Sequence, residues 1–102
     1  MRYDEYLNII NNDLKSEEVT AQLAKFYPSK RERTRAFRLL NAVVAGDIKA
    51  LLNAMNEKSA TEFGRKYEIP QRTMSGWVLQ QREAPVYVIR LLGFAALTEL
   101  GK

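Results

Sequence analysis

Gln71-Arg72-Thr73-Met74-Ser75 gathers four hydrogen-bonding side chains in five consecutive positions. These residue types can read a nucleic acid. A guanidinium pairs bidentately with guanine, a glutamine amide pairs with adenine, and hydroxyls reach bases or phosphates. On a helix, Gln71, Arg72 and Ser75 share one face with Leu79 further along it. An ordinary solvated helix surface has the same composition, so these residues alone leave both readings open.

Covalent chemistry has fewer candidates. The 102 residues contain no histidine and no cysteine, which removes the commonest general base, the commonest metal ligand and every thiolate. Carboxylates, lysines and hydroxyls remain. The adjacent Glu17 and Glu18 point to different helix faces and have no activating neighbour. The expectation is no enzyme, no cofactor and no metal.

The formal charge of +4 suits an anionic partner. Its densest cluster is Lys30, Arg31, Arg33, Arg35 and Arg38, opposed only by Glu32 within residues 29–38. That cluster reads either as a solvated helix face or as a contact for phosphates or an acidic protein. Five cations near a helix N-terminus oppose its dipole, which hints at an external anion.

The start, Met1-Arg2-Tyr3-Asp4-Glu5, has mixed charge and no apolar run after it. Val86–Leu97 is broken by Arg90 and falls short of the ~20 residues that span a bilayer. A cytoplasmic chain with no membrane partner is expected.

The elements that would position these residues are helical. Tyr6, Ile9, Ile10 and Leu14 predict a helix from Asp4 to about Leu14. Ser16 caps a second with Val19, Leu23 and Phe26 on one face, ended at Tyr27-Pro28. Ser29 with Glu32 opens a third, whose stripe includes Phe37, Leu40 and Val44 and which Gly46 stops. Asp47 caps a fourth through Leu51, Leu52 and Met55. Ser59 with Glu62 opens a short fifth, Phe63 to Tyr67. Pro70 suits the first turn of a sixth, Gln71 to about Gln81, and Pro85 starts a seventh that runs to Leu100 before Gly101. The fold class is all-α and compact. Residues 1–46 form an N-terminal helical extension packed on the core, and 47–102 form the region that carries the site.

Within 59–85, Phe63, Tyr67, Ile69, Met74 and Trp77 are spaced to meet in the angle between two short helices. The far face of the second then projects outward, as a recognition helix does on entering the major groove. This segment resembles the Cro/repressor-type (XRE-like) helix-turn-helix DNA-binding family over roughly residues 47–100. Ser59, Glu62, Phe63, Tyr67, Ile69, Pro70, Thr73, Met74, Ser75, Trp77 and Pro85 carry the likeness. The chain departs from the family's pattern at four places: Ala60 for a phosphate-contacting glutamine, Gly64 for a small residue that is usually alanine, Glu68 for the turn glycine, and Gln80 for the glycine after the recognition helix. The last change predicts a longer sixth helix, and Glu68 is strained if its position needs a positive φ.

The resemblance implies a sequence-specific transcriptional regulator that inserts helix 71–81 into double-stranded DNA. Ser59, Thr61, Gln71, Arg72, Thr73, Ser75 and Arg82 would make the contacts, while Trp77, Tyr67 and Phe63 serve as core. A homodimer on a palindromic site is expected, because one such unit buries little surface. The last helix, greasy on nearly every side, and the set Tyr6, Ile9 and Ile10 are the two candidate dimer surfaces. The alternative is a protein-interaction module, such as an antitoxin or phage adaptor, that binds a partner protein through its N-terminal helices.

Overall fold

Three helix starts are made by the side chains that the sequence offers for them. In the computed structural model, which describes residues 1–55 and 60–101, the Ser16 hydroxyl accepts the Val19 N–H at 3.2 Å and that of Ser29 accepts the Glu32 N–H at 3.1 Å. Asp47 takes the N–H groups of Lys49 and Ala50 at 3.0 and 3.2 Å. Each satisfies donors that the first turn would otherwise leave unmade. The resulting elements are α1 (Tyr3–Ile10), α2 (Glu17–Phe26), α3 (Lys30–Ala45), α4 (Ile48–Ala54), α5 (Ala60–Lys66), α6 (Gln71–Val78) and α7 (Val86–Leu100). No strand occurs among the described residues.

α3 and α7 pack together at the centre, α4 lies along α3, and α1 and α2 lean against α3. Two buried tyrosines fasten the N-terminal helices to α7. Tyr6 donates its hydroxyl to the Arg90 carbonyl at 2.6 Å, and Tyr27 donates to that of Leu97 at 2.8 Å. Burial pushes the Tyr6 hydroxyl well above its usual range and the Tyr27 hydroxyl up to about 12, because a phenolate there would lose its water. Gly93 lets these layers close. A Cβ there would lie 2.3 Å from Val43 Cγ2 and 2.8 Å from Tyr6 Oη.

Several expectations change. α1 ends at Ile10, and Leu14 reaches the core from beyond it. On α3 the inward valine is Val43, while Val44 is exposed, because the stripe follows Ala36, Leu40 and Val43. Tyr6, Ile9 and Ile10 are buried within the chain, which removes them as a dimer surface. Pro70 caps α6 from outside its first turn. α6 stops at Val78 rather than Gln81, because Gln80 turns to φ 61° and its helix closes there.

Candidate nucleic-acid interface

α5 and α6 pack against each other and meet the rest of the molecule through α4 and through the Lys66–Glu99 ion pair to the end of α7. Phe63 and Met74 are fully buried between them, and Trp77 is 9% exposed. Gly64 sets how closely they approach: a Cβ would sit 2.9 Å from Met74 Cγ and 3.1 Å from the Ile69 carbonyl. The Phe63 and Tyr67 rings lie 5.0 Å apart along α5, a favourable tilted contact.

The turn is closed by backbone. The Ile69 N–H reaches back to the Gly64 carbonyl at 2.8 Å and that of Glu68 to Arg65 at 3.3 Å, with Glu68 left-handed at φ 57°. This is the Schellman pattern, which usually employs glycine at that residue. The sequence had no glycine to announce it. At the far end of α6 the same pattern recurs. The Gln81 N–H bonds the Gly76 carbonyl at 2.9 Å, that of Gln80 bonds Trp77 at 3.2 Å, and Gln80 holds the left-handed position. Gln80 adopts the conformation of the glycine it replaces, and α6 is therefore short.

On α6, Met74, Gly76 and Trp77 face inward, while Gln71, Arg72 and Leu79 are exposed. Thr73 and Ser75 are half-buried, and the Gln71 amide donates to the Ser75 hydroxyl at 3.4 Å, a long contact. Arg72 has no ion-pair partner among the described residues. Thr61 is half-buried on α5. Arg82 is exposed, its stem laid over Gly76 with Cδ 3.7 Å from where a Cβ would be. Ser59 lies outside the described residues, as does the capping box read from it.

The fold adds two residues that spacing did not indicate. Lys49, on the first turn of α4, and Gln80 line a shallow groove with Arg82, Glu83 and Trp77. Thirty-one positions separate Lys49 from Gln80 in the chain, so no sequence pattern could join them.

The basic cluster divides. Lys30, Arg31 and Arg38 are exposed, but Arg33 turns back to donate to the Tyr27 carbonyl at 3.1 Å and to that of Pro28. Part of the charge at this N-terminus is thus absorbed by the chain itself. Arg35 is half-buried beside a shallow pocket whose wall includes the Lys66–Glu99 ion pair at 2.6 Å. Among the described residues, no group of three or more acidic side chains is placed to hold a metal ion, and no helix is long and apolar enough to cross a membrane. No family of known proteins, no curated protein and no solved structure matches the chain.

Proposed function

We propose that the chain is a sequence-specific DNA-binding regulator that inserts α6 into the major groove, acting as a dimer on a two-fold site. One observation carries this reading. α5 and α6 are locked at a short, backbone-closed turn with Gly64 against Met74, and α6 presents an exposed Gln71 and an exposed Arg72, without an ion-pair partner among the described residues, at its outer N-terminal end. Side chains near that end of a helix reach base edges when it enters the groove. A pairing of Arg72 with guanine and Gln71 with adenine uses the donor pattern each group has available. Gln71 need release only its long contact to Ser75.

Arg82 and Lys49 border the other end of α6 and supply charge for backbone phosphates, which fix register without reading sequence. Thr61, Thr73 and Ser75 add hydroxyls on the same two helices. The overall +4 charge favours the encounter with a polyanion.

Selection of bound sequences from random double-stranded DNA tests the reading. The expected result is an enriched site with two related half-sites about 10 base pairs apart, one helical turn. Affinity should fall steeply with salt. Selection that enriches nothing above a scrambled pool would remove the proposal.

A further inference from the structure

α7 is apolar around most of its circumference, and the chain covers only one side of it. Ile89, Leu92, Ala96 and Leu97 face the core. On the opposite side Tyr87 is 68% and Leu91 51% exposed, with Phe94 and Ala95 half-buried, and Tyr3 of α1, at 36%, continues the patch through an edge-to-face contact with Phe94 at 5.1 Å. The other exposed large hydrophobics among the described residues fall outside this patch: Val44 on α3, Leu79 beyond the end of α6, and Val86 in the groove with Lys49 and Trp77. Isolated residues of that kind are ordinary on a protein surface, whereas a contiguous group marks a binding face.

We infer that this face binds a second copy of the chain, the two α7 helices lying antiparallel and crossing near Leu91. This deepens the two-fold part of the reading above, and its test needs no DNA. At these exposures Tyr87, Leu91 and Tyr3, with the half-buried Phe94 and Ala95, present on the order of 300 Å² of largely apolar surface. A standard interface covers about 800 Å² per partner, a little over half of it apolar, so the patch supplies more than half of the apolar part of one side of such a dimer.

The side-chain sizes fix the orientation. Along this face, the N-terminal half of α7 carries the exposed Tyr87, and the C-terminal half carries the small Ala95 and Thr98 beside Phe94, which Tyr3 partly covers. A two-fold axis at Leu91 sets each Tyr87 against the partner's Ala95 and each Leu91 against its own copy. Large side chains then meet small ones, and the helices can approach closely. A parallel pair would set Tyr87 on Tyr87 and hold the helices apart.

The chain has no cysteine, so single cysteines report without background. Leu91→Cys should oxidise readily to a disulfide-linked dimer, since crossing at that residue brings the two Cα atoms within the span of the bond. Mixed Tyr87→Cys and Ala95→Cys chains should cross-link faster than either alone. Sedimentation should give a dimer for the parent chain at tens of micromolar. Leu91→Glu should raise its dissociation constant at least about hundredfold, because it buries two carboxylates at the axis. Circular dichroism should show that this variant remains helical; if it does not fold, the cysteine variants decide.

A parent chain that is monomeric at several hundred micromolar would overturn the inference. So would a folded Leu91→Glu variant that still dimerises with the parent affinity. Tyr87→Cys chains that cross-link to themselves faster than to Ala95→Cys would overturn the antiparallel arrangement.

Discussion

The α3–α4 corner and the α5–α6 unit close their helices by the same backbone device, yet only the first uses glycine for it. After α3, the Asp47 N–H bonds the Ala42 carbonyl at 3.2 Å, that of Gly46 bonds Val43 at 3.0 Å, and Gly46 is left-handed at φ 67°. After α5 and α6 the same two bonds form around Glu68 and Gln80. The closure depends on satisfying two end carbonyls, and the hydrogen bonds hold a residue with a side chain where glycine is merely easier. The two regions also differ in attachment. Helices α1 and α2 are joined to α7 by buried tyrosine hydroxyls, whereas α5 meets α7 through the more exposed Lys66–Glu99 ion pair and α6 is seated on Met74 and Trp77.

The sharpest way to break the comparison is at Trp77. Trp77→Ala should cost about 3–5 kcal/mol by opening a cavity under α6, measured by urea unfolding. A fold of unchanged stability would show that α6 is held by something other than its inner face. On the other side of the molecule, Gly93→Ala should cost about 1–3 kcal/mol, because the added methyl overlaps Val43 and the Tyr6 hydroxyl. Thermal melting measures it, and a neutral result would mean that the α1–α3–α7 layers can separate freely.

Tyr27→Phe should cost about 1 kcal/mol, since the Leu97 carbonyl keeps the Gly101 N–H at 3.2 Å as a second partner. The pH dependence follows from the raised Tyr27 hydroxyl. Its folded value of about 12 exceeds the ordinary 10.0, so the stabilisation is complete below pH 10. As pH rises from 10 to 12 the unfolded chain releases this proton first, and the contribution is lost. Denaturant midpoints taken across that window should fall less steeply in Tyr27→Phe than in the parent.

Replacements at the helix ends should have opposite signs in the two regions. Gly46→Ala should destabilise by about 1 kcal/mol, while Glu68→Gly and Gln80→Gly should each stabilise by a few tenths up to about 1 kcal/mol. Calorimetry on the three variants compares them directly; a loss at Gln80 would mean that its side chain makes a stabilising contact of its own. The smallest effect on folding belongs to Arg72→Ala. It should leave the melting temperature unchanged and, on the proposed function, weaken specific DNA binding by about 1–3 kcal/mol and relax one base-pair preference.

Much of the fold is written locally. Ser16, Ser29 and Asp47 cap where their side chains predict, and Pro28, Gly46 and Pro85 punctuate as their φ restrictions or freedom require. The inward set Phe63, Met74 and Trp77 also follows from periodicity. The end of α6 was not legible, because Gln80 gives no signal that it will turn left-handed. That conformation is imposed by two hydrogen bonds and by the Arg82 stem folding over Gly76. At the candidate site, the exposure of Gln71 and Arg72 could be read from helical spacing, but the meeting of Lys49 with Gln80 and Arg82 in one groove at the far end of α6 could not.

The sequence by itself determined an all-helical chain, most of its boundaries and the outward face of α6, because caps, proline restrictions and the 3.6-residue period act over a few neighbouring positions. Only the tertiary structure decided which apolar faces were left over. Tyr6, Ile9 and Ile10 are as apolar as Tyr87 and Leu91, yet they are buried while the latter are exposed. The pattern of α7 is nearly continuous, so periodicity could not choose a side. α3 covers one side through contacts between residues about fifty positions apart, such as Val43 and Gly93, and α1 closes over it through the still more distant Tyr6–Arg90 hydrogen bond, leaving the rest of α7 for another surface.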